Sequence, residues 1–89
     1  MKKQYSIKTK YGEYQATIWW SSKEKVFFVT LPAFPGPMTE ARSLAEAKRY
    51  AEDIIELECL NALEAGKVVV DNTHRIYGKA VRPGAVSLA

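Results

Sequence analysis

Residue types that build metal sites and covalent cross-links are scarce in this chain of 89 residues. It has one cysteine, Cys59, and one histidine, His74. A single cysteine excludes an intramolecular disulfide and a cysteine-based metal cluster. A lone histidine gives a metal site little to build on. We therefore expect no metal ion and no cofactor, and the cysteine count fits a reducing compartment.

Long apolar segments are also missing. No run approaches the roughly 20 residues that a membrane span needs. The basic residues at the N-terminus are not followed by the apolar region of a signal peptide. We accordingly expect a cytoplasmic protein without a membrane partner. The glycines are isolated from one another, so they form no phosphate-binding loop.

Carboxylates are too scattered to suggest catalysis. A nuclease of the two-metal type needs several carboxylates that converge on its metal ions. The predicted strands offer only Glu13 and Glu24, both near turns, and the sole aspartates are Asp53 and Asp71. This pattern predicts a protein that is not an enzyme.

The residues that are present indicate one globular domain with an uneven charge distribution. Hydrophobic residues make up 47% of the chain and charged residues 26%, as in ordinary globular proteins. Residues 1–25 carry six lysines against two glutamates, whereas residues 26–66 carry three basic and seven acidic residues. Residues 67–89 carry four basic residues and Asp71, which makes both ends of the chain basic and its middle acidic.

Three segments in the first third of the chain have the pattern of strands. Apolar and polar residues alternate over residues 5–10 and 14–20, and residues 26–31 are rich in β-branched and aromatic types. Short polar connections join these segments, so we expect an antiparallel meander. Three prolines and a glycine within residues 31–37 then take the chain out of the sheet.

A long helix follows. The sequence Ser43-Leu44-Ala45-Glu46 is a capping box, in which Ser43 and Glu46 each satisfy a free amide of the first turn. The helix should extend over residues 44–65 and end at Gly66. Residues 67–70 are predicted to form a fourth strand, and residues 75–81 are either a further strand or part of a loose tail.

The predicted fold is therefore α+β, with the order β-β-β-α-β. It is a small, mainly antiparallel sheet with one long helix packed on a face. We place the domain at residues 1–70. Residues 71–89 are a C-terminal tail or an extra strand, without an evident DNA-binding helix motif.

The helix carries two apolar stripes. The stripe predicted to pack on the sheet consists of Leu44, Ala47, Ala51, Ile55, Cys59 and Ala62. The second consists of Tyr50, Ile54, Leu57 and Leu60. Either another segment of the chain covers this second stripe, or it is an interface with a partner or a second copy. We expect a homodimer or a higher homo-oligomer that forms through this stripe. Because adjacent strand residues face opposite ways, Trp19 or Trp20 must also point away from the core, and Trp19 is a candidate interface anchor.

Residues 29–41, Val-Thr-Leu-Pro-Ala-Phe-Pro-Gly-Pro-Met-Thr-Glu-Ala, and the helix opening Ser-Leu-Ala-Glu-Ala at 43–47 resemble the HicB-like domain. In that family a strand ends in a Pro-x-Leu-Pro-Gly type of motif. A short loop and a helix that begins Ser/Thr-Leu-Glu-Glu-Ala follow, and the helix continues into an Ala-Ile-Glu-Leu segment. Residues 51–57, Ala-Glu-Asp-Ile-Ile-Glu-Leu, occupy that last place. The resemblance covers residues 5 to about 66.

The resemblance implies a partial ribonuclease-H-like domain and an antitoxin function. The best-understood members bind and neutralise a small basic ribonuclease toxin of the HicA type, and many also repress their own operon. The acidic helix residues Glu52 and Glu56 would face such a partner. This sequence departs from DNA-binding members, because residues 67–89 contain no helix-turn-helix or ribbon-helix-helix pattern. An orphan HicB-like domain with another role is the alternative within the family.

A nucleic-acid-binding function is the main alternative outside the family. Lys8 and Lys10 lie on the polar face of the first strand, and Trp19 could stack on a base. The basic residues of the C-terminal region could add phosphate contacts. They are Arg75, Lys79 and Arg82. The simpler interpretation is that the strand lysines protect a sheet edge from aggregation.

Overall fold

A computed structural model describes residues 2–34, 36 and 38–78 of the chain, with Met38 described by its backbone alone. Strands β1 (Lys3–Thr9), β2 (Gly12–Ser21), β3 (Val26–Thr30) and β4 (Met38–Ala41) precede helix α1 (Leu44–Glu64). Two short strands follow, β5 (Val69–Val70) and β6 (Ile76–Tyr77). The expected α+β class is confirmed.

The main sheet is an antiparallel meander in the order β1-β2-β3-β4. The three strands predicted from alternation are present, and their register brings like faces together. Ile7 lies opposite Tyr14, and Ile18 lies opposite Val29. These four side chains are all buried on the face that carries the helix.

The sequence-based order β-β-β-α-β is wrong in one respect, because a fourth strand precedes the helix. Strand β4 pairs with β3, with Phe27 opposite Ala41 and Thr30 opposite Met38. It follows directly on the proline-rich loop and lies at the edge of the sheet, where only one side of the strand needs partners. Four residues are too few to show a clear alternation, which is why the sequence pattern did not reveal it.

Residues 67–70 do not supply a fourth strand of the main sheet, as the sequence had suggested. Only Val69 and Val70 are extended, and they pair with Tyr77 and Ile76 in a separate two-stranded sheet. We call residues 69–77 the C-terminal hairpin. Of the further strand predicted at 75–81, residues 76–77 are strand, and residues 79–81 lie outside the described part of the chain.

The ends of α1 follow the predicted signals closely. The Ser43 hydroxyl accepts a hydrogen bond from the Glu46 amide at 3.0 Å. The Glu46 carboxylate accepts from the amide of Arg42 at 2.8 Å, one residue before the position that a standard capping box would use. At the C-terminus Gly66 adopts φ +82, and the amide of Lys67 donates to the carbonyl of Ala62 at 2.9 Å. This is the Schellman arrangement, which the glycine permits.

The core lies between the sheet and the predicted helix stripe. Ala47, Ala51, Ile55 and Cys59 are fully buried, while Leu44 and Ala62 pack at its margin. Alanines at the centre of the contact let the helix lie close to the sheet. Burial of Ile55 alone contributes about 1.5–3 kcal/mol.

The C-terminal hairpin closes one end of this core. Val69 is buried and Tyr77 is half-buried against the core, whereas Val70 and Ile76 face outward and are exposed. Gly78 adopts φ +100, and a Cβ atom there would collide with the side chain of Leu63. The hairpin therefore packs against the end of the helix through a position that only glycine fits.

Candidate functional site

The outward side of α1 presents leucines among carboxylates. Opposite the buried stripe, between the middle of α1 and its C-terminal end, lie five residues that we call the outward helix face: Asp53, Glu56, Leu57, Leu60 and Glu64. Leu57 is 56% exposed and Leu60 is 41% exposed. Leucines at positions i and i+3 form one continuous apolar spot on a helix, and here three acidic side chains border it.

Only half of the second apolar stripe is exposed to solvent. Tyr50 and Ile54 are partly buried and pack against the core, so the four-residue patch expected from the sequence reduces to Leu57 and Leu60. Tyr50 lies beside β4, the strand that the sequence did not reveal. It borders an open cleft of about 470 Å³ together with residues of β3, β4 and the start of the helix: Val26, Glu40, Ala41, Arg42 and Glu46.

The two glutamates predicted to meet a partner are placed differently. Glu56 lies on the outward helix face, where its carboxylate also accepts a hydrogen bond from the Lys10 amide at 3.1 Å. That bond ties the middle of α1 to the turn between β1 and β2. Glu52 is half-buried on the flank of the helix. The helix as a whole carries six acidic and two basic residues, which makes it the acidic side of the molecule.

The predicted anchor Trp19 lies on the other side of the sheet. The side chains that alternate with the core residues form the open sheet face, and none of those described is buried. Its members are Lys2, Gln4, Ser6, Lys8, Glu13, Gln15, Thr17, Trp19, Ser21, Val26, Phe28, Thr30 and Glu40. Trp19 pairs with Phe28 across the strands, with ring centroids 5.6 Å apart. The structure thus separates Trp19 from the helix residues with which the sequence analysis had grouped it.

Of the basic residues predicted to contact nucleic acid, Lys8 and Arg75 come together. They line an open cleft of about 480 Å³ between the β1–β2 hairpin and the C-terminal hairpin. Lys10 is exposed in the turn after β1. Lys79 and Arg82 lie outside the described residues. Because Glu13 and Asp71 line the same cleft, its charge is mixed, which weakens its attraction for phosphate.

The lining of this cleft includes Asp71, an aspartate that the sequence suggested only as a scattered carboxylate. Asp71 is 5% exposed. One of its oxygens accepts from the Glu13 amide at 2.8 Å, and the other accepts from the amides of Thr73 and Arg75, both at 2.9 Å. The Thr73 hydroxyl also donates to that second oxygen at 2.8 Å. Asp71 therefore shapes the turn of the C-terminal hairpin and fastens it to β2.

The environment of Asp71 keeps it ionised. Burial by itself raises the pKa of the carboxyl group, but the hydrogen bonds from Glu13, Thr73 and Arg75 outweigh burial and lower the pKa to about 2. Gly12 adopts φ +104, and a Cβ atom there would lie 2.6 Å from the Cβ atom of Asp71. An aspartate two residues before a threonine is a turn signal that could have indicated the local bonds, though not the bond to Glu13.

Cys59 is a core residue, as its position in the helix stripe predicts. It is fully buried, and its thiol donates to the Tyr14 hydroxyl at 3.6 Å. That hydroxyl donates in turn to the Tyr11 carbonyl at 2.9 Å. Burial raises the pKa of the Cys59 thiol and that of the Tyr14 phenol. Both groups stay protonated, so this pair is structural and not nucleophilic.

Within residues 2–34, 36 and 38–78, no three histidine, cysteine, aspartate or glutamate side chains form a group that could hold a metal ion. Asp53 lies on the outward helix face, and Asp71 uses its oxygens for hydrogen bonds within the chain. In the same part of the chain, α1 is not apolar enough to cross a membrane, and no other helix is a candidate.

Comparison with known proteins identifies no relative: no family model, no curated protein and no solved structure matches this chain. What the chain does must therefore be inferred from its own surfaces. Two of them stand out, the outward helix face and the open sheet face.

Proposed function

We propose that this chain is a protein-binding module and that its partner, a small basic protein, docks on the outward helix face. The observation that carries the proposal is the exposure of Leu57 and Leu60 within a ring of carboxylates. Apolar side chains at the centre of a patch with a charged rim are the usual organisation of a protein interface.

The charge of the outward helix face favours a basic partner over a second copy. In a symmetric dimer the same face meets itself, so Asp53, Glu56 and Glu64 of one copy would approach those of the other. A basic surface would instead pair with these carboxylates. Complementary charge of this kind speeds association and selects the partner, while the leucines supply most of the affinity.

The resemblance to the HicB-like domain also favours a protein-binding function, and it suggests a particular class of partner. It implies an antitoxin that neutralises a ribonuclease toxin of the HicA type, a small basic protein. The resemblance implies the order βββαβ; the antiparallel meander before the helix is in line with its first part, whereas the strands after the helix form a separate small sheet. The proposed function is therefore that of a HicB-type antitoxin, which acts by occupying its toxin.

The test is co-expression of this chain with the product of the neighbouring gene, followed by co-purification. We expect a stoichiometric complex with a small basic protein that is toxic when it is expressed alone. The double variant Leu57→Lys, Leu60→Lys places positive charge on the docking face. It should weaken the complex about 30-fold or more, as expected for central interface residues.

A matched control comes from the C-terminal hairpin. Val70 and Ile76 are as exposed as the two leucines, so the double variant Val70→Lys, Ile76→Lys changes the same chemistry elsewhere. It should leave the complex intact. Equal loss in both variants, or a wild-type homodimer that only the leucine variant converts to a folded monomer in sedimentation experiments, would contradict the proposal. The second result would establish the homodimer predicted from the sequence.

A further inference from the structure

The open sheet face carries a pair of aromatic rings that the core does not use. Trp19 and Phe28 are cross-strand neighbours on β2 and β3, with centroids 5.6 Å apart and ring planes inclined by 40°. Both residues are half-buried, and they lie on the side of the sheet that the helix does not cover. Neighbouring strand positions hold them side by side, so each offers a surface to one flat ligand.

The charged side chains around this aromatic pair are positive on balance. The Lys2 ammonium lies 4.3 Å from the centroid of a Trp19 ring, in a cation–π contact. Lys23 and Lys25 are exposed in the turn between β2 and β3, which begins three residues beyond Trp19. Two carboxylates, Glu24 and Glu40, lie in the same region, so the three lysines leave it with a net positive charge.

Uncharged hydrogen-bonding groups lie next to the rings. Thr17 and Thr30 face each other across the strands in the next pair along the sheet, with Gln15 beyond them. Hydroxyl and amide groups can donate to and accept from base edges without a strict sequence requirement. Aromatic rings, cations and small polar groups thus occupy one face.

We propose that the open sheet face binds single-stranded nucleic acid, with successive bases stacked on Trp19 and Phe28 and the phosphates held by Lys2, Lys23 and Lys25. Aromatic side chains on a sheet within a basic surround are the means by which single strands are bound with little sequence preference. A duplex keeps its bases stacked on one another and cannot use the rings. This site is separate from the outward helix face and does not depend on the proposed function.

A protein partner fits the same surface less well. Among the described residues of this face, Val26 is the one further apolar side chain beside the rings; the other neighbours are polar or charged, and Glu40 lies directly opposite Phe28. A second copy of the chain would bring its own lysines against them, which costs free energy. The acidic helix on the opposite side of the sheet repels phosphate. A single-stranded nucleic acid would therefore bind to the open sheet face and not to the helix side.

The first measurement uses tryptophan fluorescence, because Trp20 provides a matched control. Trp20 is the next residue, is 46% exposed, and pairs with Phe27 on the opposite face of the same two strands. The variant Trp20→Phe leaves Trp19 as the only tryptophan, and Trp19→Phe leaves Trp20. Both replacements keep an aromatic ring and should preserve the fold. Single-stranded oligonucleotides of about 12 nucleotides should quench the Trp20→Phe protein and leave the Trp19→Phe protein unchanged.

The second measurement is fluorescence anisotropy with labelled RNA and DNA strands, and a duplex of the same length as the control. Affinity should fall steeply between about 50 mM and about 200 mM salt. Trp19→Leu should weaken binding about tenfold, and Trp20→Leu less than twofold. The slope of the logarithm of the binding constant against the logarithm of the salt concentration should fall in magnitude by about one in Lys23→Ala. It should not change in Lys67→Ala, a variant at the far end of the helix.

Three results would overturn the proposal. One is the absence of binding to single strands at low salt. Another is equal binding of the duplex, or equal weakening by the two leucine variants. The third is self-association of the chain, or capture of a protein partner, that Trp19→Leu abolishes while strand binding stays unchanged, since the face would then be a protein interface.

Discussion

Each face of the main sheet carries one tryptophan–phenylalanine pair, and the two pairs have different surroundings. On the covered face Trp20 pairs with Phe27, with centroids 5.0 Å apart, and Phe27 packs against the core. On the open sheet face Trp19 pairs with Phe28, and no buried residue lies around them. The cohesion of the fold therefore resides on one face, so the other face and the outer side of the helix can change without loss of the fold.

The largest effect is expected from a cavity between the covered face and the helix. Replacing Ile55, which is fully buried, by alanine should lower the free energy of unfolding by about 2–5 kcal/mol. Leu57→Ala, two residues along the same helix, should change it by less than about 0.5 kcal/mol, because that side chain is exposed. Urea unfolding followed by circular dichroism measures both. Similar losses in the two variants would mean that the outward helix face is covered in solution.

A smaller effect is expected at the point where the C-terminal hairpin meets the sheet. Gly12→Ala forces a left-handed backbone on alanine and places its Cβ atom against Asp71, which should cost about 2 kcal/mol or more. Gly66→Ala is the matched control, since Gly66 also has a positive φ but no atom lies within 4 Å of the added carbon. It should cost about 1 kcal/mol. Equal costs would show that Gly12 is needed for its φ angle and not for the approach of Asp71.

The smallest effect is specific to pH. The pKa of Asp71 is lowered to about 2, from an unfolded value near 3.9. A carboxyl with a lowered pKa adds stability that is fully present above about pH 4 and is lost as the pH falls towards about 2. Asp71→Asn should make the protein less stable at pH 7 and should flatten the pH dependence of its stability in this window. Thermal melts of both proteins from about pH 2 to 6 provide the measurement, and parallel curves would contradict the assignment.

Structural features were predictable from the sequence when the interacting residues are close to each other along the chain. The helix, its serine cap and its glycine end were predictable, because each signal lies within five residues of its partner. Strand β4 was not, since its four residues carry no usable periodicity. The two strands of the C-terminal hairpin lie within segments for which a strand was considered, but their pairing with each other was not predicted. The bond from Glu13 to Asp71 joins residues 58 positions apart, and no local pattern encodes it.

The same limit applies to the candidate sites. Alternation along β2 predicted that a tryptophan must face away from the core, and Trp19 does. The role of Phe28 as its neighbour depends on the register of two strands, which the sequence analysis did not establish. The exposed pair of leucines was identified by helical spacing, but their separation from Tyr50 and Ile54 depends on how the helix packs on the sheet.

Because Cys59 is buried, its reactivity can report how often the helix separates from the sheet in the native protein. Its thiol is enclosed between helix and sheet and is the only one in the sequence. A thiol reagent can react only after the two layers separate, so the rate of labelling measures how often they do so. A partner that binds the closed form alone reduces that rate in proportion to its saturation, which gives its affinity without any introduced label.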